Sequence, residues 1–331
     1  MPASSANLGP GFDSLGLALS LYDDVEVTAV PSASVAVEVV GEGAGRVPCD
    51  DAHLVVRAMR TVWDIVGDAP AGLRLRCHNA IPHSRGLGSS AAAAVAGAVA
   101  AVVLAGRDPE LERDTLLQVT AGMEGHADNA AASLLGGFVV AWETAAWESA
   151  AVESAAGESA AGESAAGEPA AGESAAGEPA GWESQRDTSE RFHAVRLEPH
   201  PGIRPVALVA TAESLTSTTR GLLPDRVPLV DAAFTGSRAA LAVLAFTQRP
   251  ELLLPATEDR LHQGYRRPAY PESADLVDAL RAHGVPATIS GAGPTVLAWT
   301  SDATLPAGID LRGFTVMPLP VDTAGARVEF S

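Results

Sequence analysis

Apolar and polar positions change period several times along this chain, and each change marks an element. The first thirteen residues end in Asn7-Leu-Gly-Pro-Gly-Phe-Asp13, a glycine-proline loop. Ser14 to Val30 begins small and apolar, then alternates from Asp24 to Val30 with the period of a half-buried strand. Val35 to Val40 alternates in the same way, and the turn at Pro31 to Ser34 predicts that the two form a hairpin. His53 to Val66 has helical spacing, with Leu54, Ala58, Met59 and Val62 on one side. Leu73-Arg-Leu-Arg-Cys77 alternates cleanly and leads through Asn79-Ala-Ile-Pro82 into a second glycine loop. Ala91 to Leu104 is apolar on nearly every face, which predicts a helix buried in the domain centre. A further helix is expected to run to Met123, with Asp108 as N-cap, Pro109 at its first position and Gly125 past its end.

After Gly136-Gly-Phe-Val-Val-Ala-Trp142 the pattern breaks. Ala145 to Gly181 repeats Ser-Ala-Ala-Gly-Glu with a five-residue period, Pro replacing Ser at two points. Five fits neither the 3.6 of a helix nor the 2 of a strand, and no large apolar residue recurs to be buried. This composition predicts a disordered, solvated spacer that interrupts a loop between strands. Strand-like sequence resumes at Phe192 to Leu197 and at Ile203 to Thr211. Helices are expected over Val230 to Thr247 and Ser273 to His283, and short strands over Ala287 to Ser290, Thr295 to Thr300 and Gly313 to Leu319. A third glycine turn, Ser290-Gly-Ala-Gly-Pro294, separates two of those strands. Helices and strands interleave without a strict rhythm, so the expected class is α+β. The division that follows is an N-terminal domain over 1–142, an insertion over 143–190 and a C-terminal domain over 191–331, with 191–202 completing the N-terminal sheet.

Composition narrows the functions. The 331 residues are 47% hydrophobic and 5% aromatic, enough for a core built mainly of Ala, Val and Leu. A formal charge of −19 argues against nucleic acid or an anionic membrane as partner, although much of it sits in the repeat. No stretch reaches the ~18 apolar residues expected of a membrane span, and the N-terminus carries no secretory pattern. Only Cys49 and Cys77 occur, without metal spacing, which fits a reducing cytoplasm. There is no lysine, so a Walker-type loop and a protein-kinase strand lysine are both excluded. Any phosphate chemistry must rest on backbone N–H groups, helix dipole, serine, arginine and magnesium.

One segment suits that requirement. Pro82-His-Ser-Arg-Gly-Leu-Gly-Ser-Ser-Ala-Ala92 is a glycine-serine turn opening into an alanine-rich helix. Glycines let backbone approach a phosphate, and the first helical N–H groups point at it. Ser89 and Ser90 stand where they could cap the helix, touch phosphate or ligate a metal. Alone, such a turn is more often a plain loop-to-helix junction.

The three glycine segments in this order resemble the small-molecule kinases grouped as galactokinase, homoserine kinase, mevalonate kinase and phosphomevalonate kinase. Pro2 to Leu19, His126-Ala-Asp-Asn129 with Gly136-Gly-Phe138, Thr216 to Pro224 and Ser290 to Val296 resemble the homoserine kinase family in particular. The resemblance covers the chain except the repeat. It implies a two-domain fold, with an N-terminal domain like the second domain of ribosomal protein S5 and a ferredoxin-like C-terminal domain. It implies ATP and Mg2+ as cofactors, L-homoserine as substrate, and transfer of the γ-phosphoryl group to the homoserine side-chain hydroxyl in threonine biosynthesis.

Residue by residue, the resemblance implies that Pro82, His83, Ser84, Arg85, Gly86, Leu87, Gly88, Ser89, Ser90, Ala91 and Ala92 bind the nucleotide. Ser90 resembles the magnesium-contacting serine and Glu124 is the candidate acid, since a hard cation prefers carboxylate oxygen. Some relatives place that acid six residues earlier, where this chain has Gln118. Asn7, Asp13 and Asn129 resemble substrate contacts, with Asp13 suited to an ammonium and Asn129 to orienting the hydroxyl. Arg220 and Arg266 resemble the arginines that hold the substrate carboxylate, Arg220 acting also in catalysis, and Thr216 is a further substrate contact. Local readings stay open beside these: an Asx-turn for Asn7, a helix cap for Asn129, surface ion pairs for the arginines. His126 is read as structural, because a loose phosphoryl transition state needs alignment more than a strong base. Relatives place a short strand ahead of the Pro2 segment, and its absence would leave a sheet edge exposed. The alternatives are a superfamily kinase for another small alcohol and a non-catalytic ATP or amino-acid binder. The oligomeric state stays open, a homodimer among the options.

Overall fold

A computed structural model describes residues 1–144, 191–214 and 219–330. The repeat insertion and Thr216 lie outside the described residues.

The first sheet has the order β1-β2-β6-β7 and is antiparallel throughout, from β1 (Pro2–Asn7), β2 (Gly11–Tyr22), β6 (Phe138–Glu143) and β7 (Phe192–Leu197). Its last two strands stay paired to their ends: Glu143 opposes Phe192, and Thr144 N donates to Arg191 O at 3.0 Å. β1 is the edge strand, yet all six of its residues are buried. Its edge is covered by the two later glycine segments, with Ser4 N donating to Leu87 O at 3.1 Å and Gly291 N to Ala6 O at 3.1 Å. The exposed edge expected from the sequence is therefore not found.

A second sheet corrects another expectation. β3 (Asp24–Val30) and β4 (Val35–Gly41) do not form a hairpin with each other. β5 (Gly72–Asn79) lies between them, antiparallel to β3 and parallel to β4. The reason lies in β5's side chains. Leu73, Leu75 and Cys77 are buried, whereas β3 and β4 alternate only between half-buried and exposed and suit the edges.

Helices α1 (Leu54–Val66), α2 (Ser89–Leu104), α3 (Arg113–Glu124) and α4 (Asp128–Leu135) pack between and against these sheets. α2 buries ten residues and is the central helix its composition predicts. A side chain at Gly97 would meet Val55 O at 2.2 Å, so the small residue lets α1 and α2 touch backbone to backbone. α3 starts four residues later than the sequence suggests. Asp108 O accepts from Leu111 N and Glu112 N in a single turn, and Leu111 is 85% exposed, so that turn has no apolar face to bury.

The third sheet, β11-β8-β10-β9, is built from β8 (Arg204–Ala210), β9 (Ala287–Ile289), β10 (Val296–Thr300) and β11 (Phe314–Pro318). Its last strand sits beside its first, as in a ferredoxin-like sheet. The connection from β8 to β9 carries α5 (Leu229–Thr247), α6 (Leu253–Ala256), α7 (Gln263–Arg266) and α8 (Pro271–Ala282). α5 is long and apolar enough to cross a membrane by length and composition, contrary to the expectation from sequence. Its Ala242, Ala245 and Phe246 are instead seated in a cluster with Leu17, Leu19 and Phe138 of the first sheet and Ala207, Leu297 and Trp299 of the third. Phe246 stacks on Phe138 at 5.3 Å and meets Trp299 edge-on at 4.8 Å. Such pairs add about 0.5–1.5 kcal/mol beyond area burial, which fixes the two halves against each other.

Candidate active site

The three glycine segments converge where the halves meet. After β1 the chain reverses with Asn7, Leu8 and Asp13 at φ of 68°, 49° and 54°. The Asn7 side chain secures that turn, its Nδ2 donating to Gly291 O at 2.9 Å and its Oδ1 accepting from Asp13 N at 3.0 Å. Gly86, in the loop before α2, has φ of 78°, and a side chain there would lie 2.2 Å from Ser290 O. Ser290 Oγ donates to Gly86 O at 2.6 Å. Loop and turn are therefore in direct backbone contact, which fixes the loop without a lysine.

Together they line a cleft of about 650 Å³. Ser84 to Ser90 run along it, where α2 begins with first-turn N–H groups that have no intrahelical partner. Ser90 Oγ donates to Glu124 Oε1 at 2.5 Å, so a hydroxyl and a carboxylate from two helices meet beside the loop. The Arg85 side chain is committed elsewhere: Nε donates to Ala210 O at 2.9 Å, Nη1 to His83 O at 3.1 Å and Nη2 to Thr211 O at 3.2 Å. It ties the loop to the end of β8. Pro82, Ala91 and Ala92 do not line the cleft. The two alanines are fully buried, and the Ala92 N–H already donates to Gly88 O. Gln118 is also absent from the cleft, because its amide pairs both ways with the Phe192 backbone and ties α3 to β7.

The charged end of the cleft gathers Asp13, Asn129, Arg220 and Arg266. One guanidinium nitrogen of Arg220 reaches both Asp13 carboxylate oxygens, at 2.8 and 3.0 Å. Arg266 is only 2% exposed and has no carboxylate within 4.0 Å among the described residues. Burial lowers its pKa, and the neighbouring Arg220 pushes the same way. Its contacts are Nε to Thr219 O at 3.3 Å and Nη1 to His262 Nδ1 at 3.5 Å. Asn129 is the second residue of α4, with its Oδ1 accepting from Ser4 Oγ at 3.0 Å.

His126 lies in the cleft as well, with Nδ1 at 2.7 Å from the buried Asp128 carboxylate. Burial works against its charge, but the Asp128 hydrogen bond and the charges of Asp128, Asp13 and Glu124 win, raising its pKa above the ordinary value. Ligand atoms of Asp13, His126 and Asp128 all lie within 4.8 Å of one another. The structure thus brings together Asn7, Asp13, Ser90, Glu124, Asn129, Arg220 and Arg266. It adds a wall the sequence reading missed: Val47, Pro48, His53, Leu54 and Arg57, ahead of and within α1. Leu54 and Arg57 read as an ordinary first helical turn, and no local signal marks that turn as facing a cleft.

A loop-capped helix, a serine–carboxylate pair and a charged pocket at a two-domain seam define a small-molecule kinase of the GHMP type. Residues 53–137 match the GHMP kinases N terminal domain and residues 237–309 the GHMP kinases C terminal domain. The homoserine kinase of Streptomyces avermitilis is 46% identical over 99% of this chain and 94% of its own length. That of Rhodococcus opacus is 48% identical over 97% of this chain and 93% of its own. Among solved structures, the homoserine kinase of Cytophaga hutchinsonii has a TM-score of 0.73 at 22% identity, covering 98% of this chain and 94% of that one. Streptococcus pneumoniae phosphomevalonate kinase shares the fold with a TM-score of 0.61 at 15% identity, over 91% and 92% of the two chains. The chain belongs to the homoserine kinase family of the GHMP kinases.

Proposed function

We propose that this protein transfers the γ-phosphoryl group of ATP to the side-chain hydroxyl of L-homoserine, giving O-phospho-L-homoserine for threonine biosynthesis in the cytoplasm. The observation that carries the reading is the charged end of the cleft. Asp13 and Arg220 already pair with each other, and Arg266 lies beside them with no counter-ion among the described residues. An α-amino acid presents the complement, an ammonium for Asp13 and a carboxylate for the two arginines. Neither an isoprenoid alcohol nor shikimate offers both charges. The names of the full-length relatives support the same substrate.

The residues present suit ATP and a magnesium ion. The loop of Ser84 to Gly88 and the first turn of α2 offer backbone N–H groups to phosphate oxygens. Ser90 Oγ and Glu124 Oε1 are hard oxygen donors already in contact at the loop, the set a magnesium ion takes. When bound, the nucleotide supplies the phosphoryl group and the metal neutralises charge on its oxygens. The chain's own residues do the rest. Arg220, Arg266 and Asp13 hold the amino-acid end and so fix where the side-chain hydroxyl can reach. Ser4 secures the Asn129 amide through its oxygen, leaving the nitrogen end to donate to the substrate hydroxyl oxygen. Positioning of this kind replaces a strong base, because the phosphoryl transition state is loose and rewards alignment.

The test is ADP release from magnesium-ATP with L-homoserine, L-serine, L-threonine, shikimate and mevalonate. The reading expects turnover with homoserine that is lost in Arg220→Ala. Measurable ATP binding without turnover of any of these alcohols would sink it in favour of a non-catalytic binder.

A further inference from the structure

We infer that Phe12 is a positioning residue: its ring sets the spacing of Arg220 and Arg266 and so selects for a carboxylate on the substrate. The inference rests on the functional reading above and names a determinant of that same site. Phe12 sits at the start of β2, beside Asp13, and is half-buried. Its surroundings are unusual for a phenylalanine. Among the described residues it belongs to none of the three apolar clusters of the fold. Instead the guanidinium carbon of Arg266 stands over the ring at 5.4 Å from its centroid and that of Arg220 at 5.6 Å. The His262 ring lies 5.2 Å away, tilted.

These groups need such a plate. Two guanidinium groups sharing a partly desolvated pocket repel each other, and Arg220 depresses the pKa of Arg266. An aromatic face attracts each cation through its quadrupole without donating or accepting a proton, and without consuming the N–H groups a carboxylate needs. Phe12 does not itself line the cleft. It acts beside the arginines, in the stretch of β2 between the pairs Asn7–Gly11 and Ala6–Gly16, where Asn7 Oδ1 holds the neighbouring Asp13 N–H. His262 locks the other side: it is fully buried, and its Nε2 donates to Gly9 O at 2.7 Å, joining the β1–β2 turn to the segment bearing Arg266. Asp259, whose carboxylate accepts from the N–H groups of Leu261, His262 and Gln263, holds that segment in place. Losing the ring leaves both arginines charged and near, but free to splay.

The test is steady-state kinetics of the native protein and of Phe12→Leu, Phe12→Met and Phe12→Tyr. Each is assayed with L-homoserine and with 2-amino-1,4-butanediol, the same molecule with its carboxylate reduced to an alcohol. The expected result is a rise of about tenfold in KM for homoserine in the leucine and methionine variants, with Phe12→Tyr near native. The kcat should stay within about twofold and the KM for ATP unchanged, marking lost ground-state positioning. The KM for the diol, high in the native protein, should not move further. An equal rise for the diol, an unmoved KM for homoserine, or leucine and tyrosine variants that behave alike would overturn the role of Phe12. So would collapse of the fold in both the leucine and methionine variants, which would make the ring a packing residue. If the native protein itself turns over no homoserine, the functional reading falls instead.

Discussion

Replacing Arg266 by methionine should stabilise the ligand-free protein and deprive it of its substrate. The side chain is 2% exposed, and its two hydrogen bonds are long, at 3.3 and 3.5 Å. Taking a cation out of water costs several kcal/mol even after relaxation. The Phe12 ring returns roughly 0.5–2 kcal/mol of that. Asp13 sits nearby, but its carboxylate is engaged by Arg220. The balance is unfavourable until a ligand carboxylate arrives. Methionine fills a similar volume without charge, and exchanges of buried charged groups for apolar ones are often neutral or stabilising by about 1–4 kcal/mol. Taking about 2 kcal/mol, and about 2–4 °C per kcal/mol for a chain of this class, the melting temperature should rise by about 4–8 °C. The substrate pays in the opposite direction. Losing a buried charge-assisted contact costs about 2–5 kcal/mol, so KM for homoserine should rise by roughly 30-fold to several thousand-fold. Thermal melts with and without homoserine read both effects at once. The native protein should gain about 2.7 kcal/mol at a ligand concentration of 100 Kd, and the variant less than about 1 kcal/mol. A ligand-free variant that melts below the native protein, or one that keeps the native homoserine shift, would refute the reasoning.

Three further outcomes follow from the same geometry. Gly86→Ala would place a side chain 2.2 Å from Ser290 O at a φ of 78°, whereas Gly45→Ala has a similar φ of 72° and open space around it. Both should lose about 1–2 kcal/mol to the left-handed backbone, but only Gly86→Ala should lose several-fold more and weaken ATP binding; equal urea midpoints would show that the seam is soft. Deleting residues 145–181 should leave turnover nearly unchanged, because the strands flanking the insertion remain paired at Glu143 and Phe192; a collapse of activity in a folded deletion would contradict it. His126 has a raised pKa in the folded protein, so the stability it adds is full below its ordinary value of 6.5 and fades as pH rises through the folded value. The melting-temperature gap between native and His126→Gln should therefore narrow from pH 6 to pH 8.5, and a constant gap would show the imidazole is neutral throughout.

Much of this architecture is legible in the chain, with limits that have physical causes. The central helix from Ser89 is marked by its unbroken small apolar composition, and α5, α8 and the strands of the third sheet by their periods. Strand period says nothing about partners, so β3 and β4 read as a hairpin although β5 separates them. The turn at Asp108 has the chemistry of a helix start, but chemistry without a buried face does not propagate. At the site, the glycine segments and their charged companions stand out because loops that bind phosphate need residue types that ordinary loops do not. Arg85 looks like a phosphate hand, and only the fold reveals that carbonyls of Ala210 and Thr211 occupy it. His53 and Leu54 carry no signal at all, since which side of a helix start meets a cleft depends on packing alone.

The pairing of Asp13 with Arg220 bears on selectivity as well as on affinity. A ligand with only an ammonium could claim Asp13, but it would strip Arg220 of its counter-ion and leave two arginines facing each other. A ligand with only a carboxylate could claim the arginines, but it would leave Asp13 without a partner. Either outcome opens an existing ion pair at 2.8 Å and returns one bond for it. A zwitterion opens the same pair and closes two, while also supplying a carboxylate to Arg266, which has none within 4.0 Å among the described residues. Arg220 and Asp13 are 45% and 33% exposed, so leaving one of them unpaired costs up to about 1 kcal/mol, which is enough to separate substrates several-fold. Discrimination against singly charged alcohols is therefore set by a contact that exists before any substrate binds.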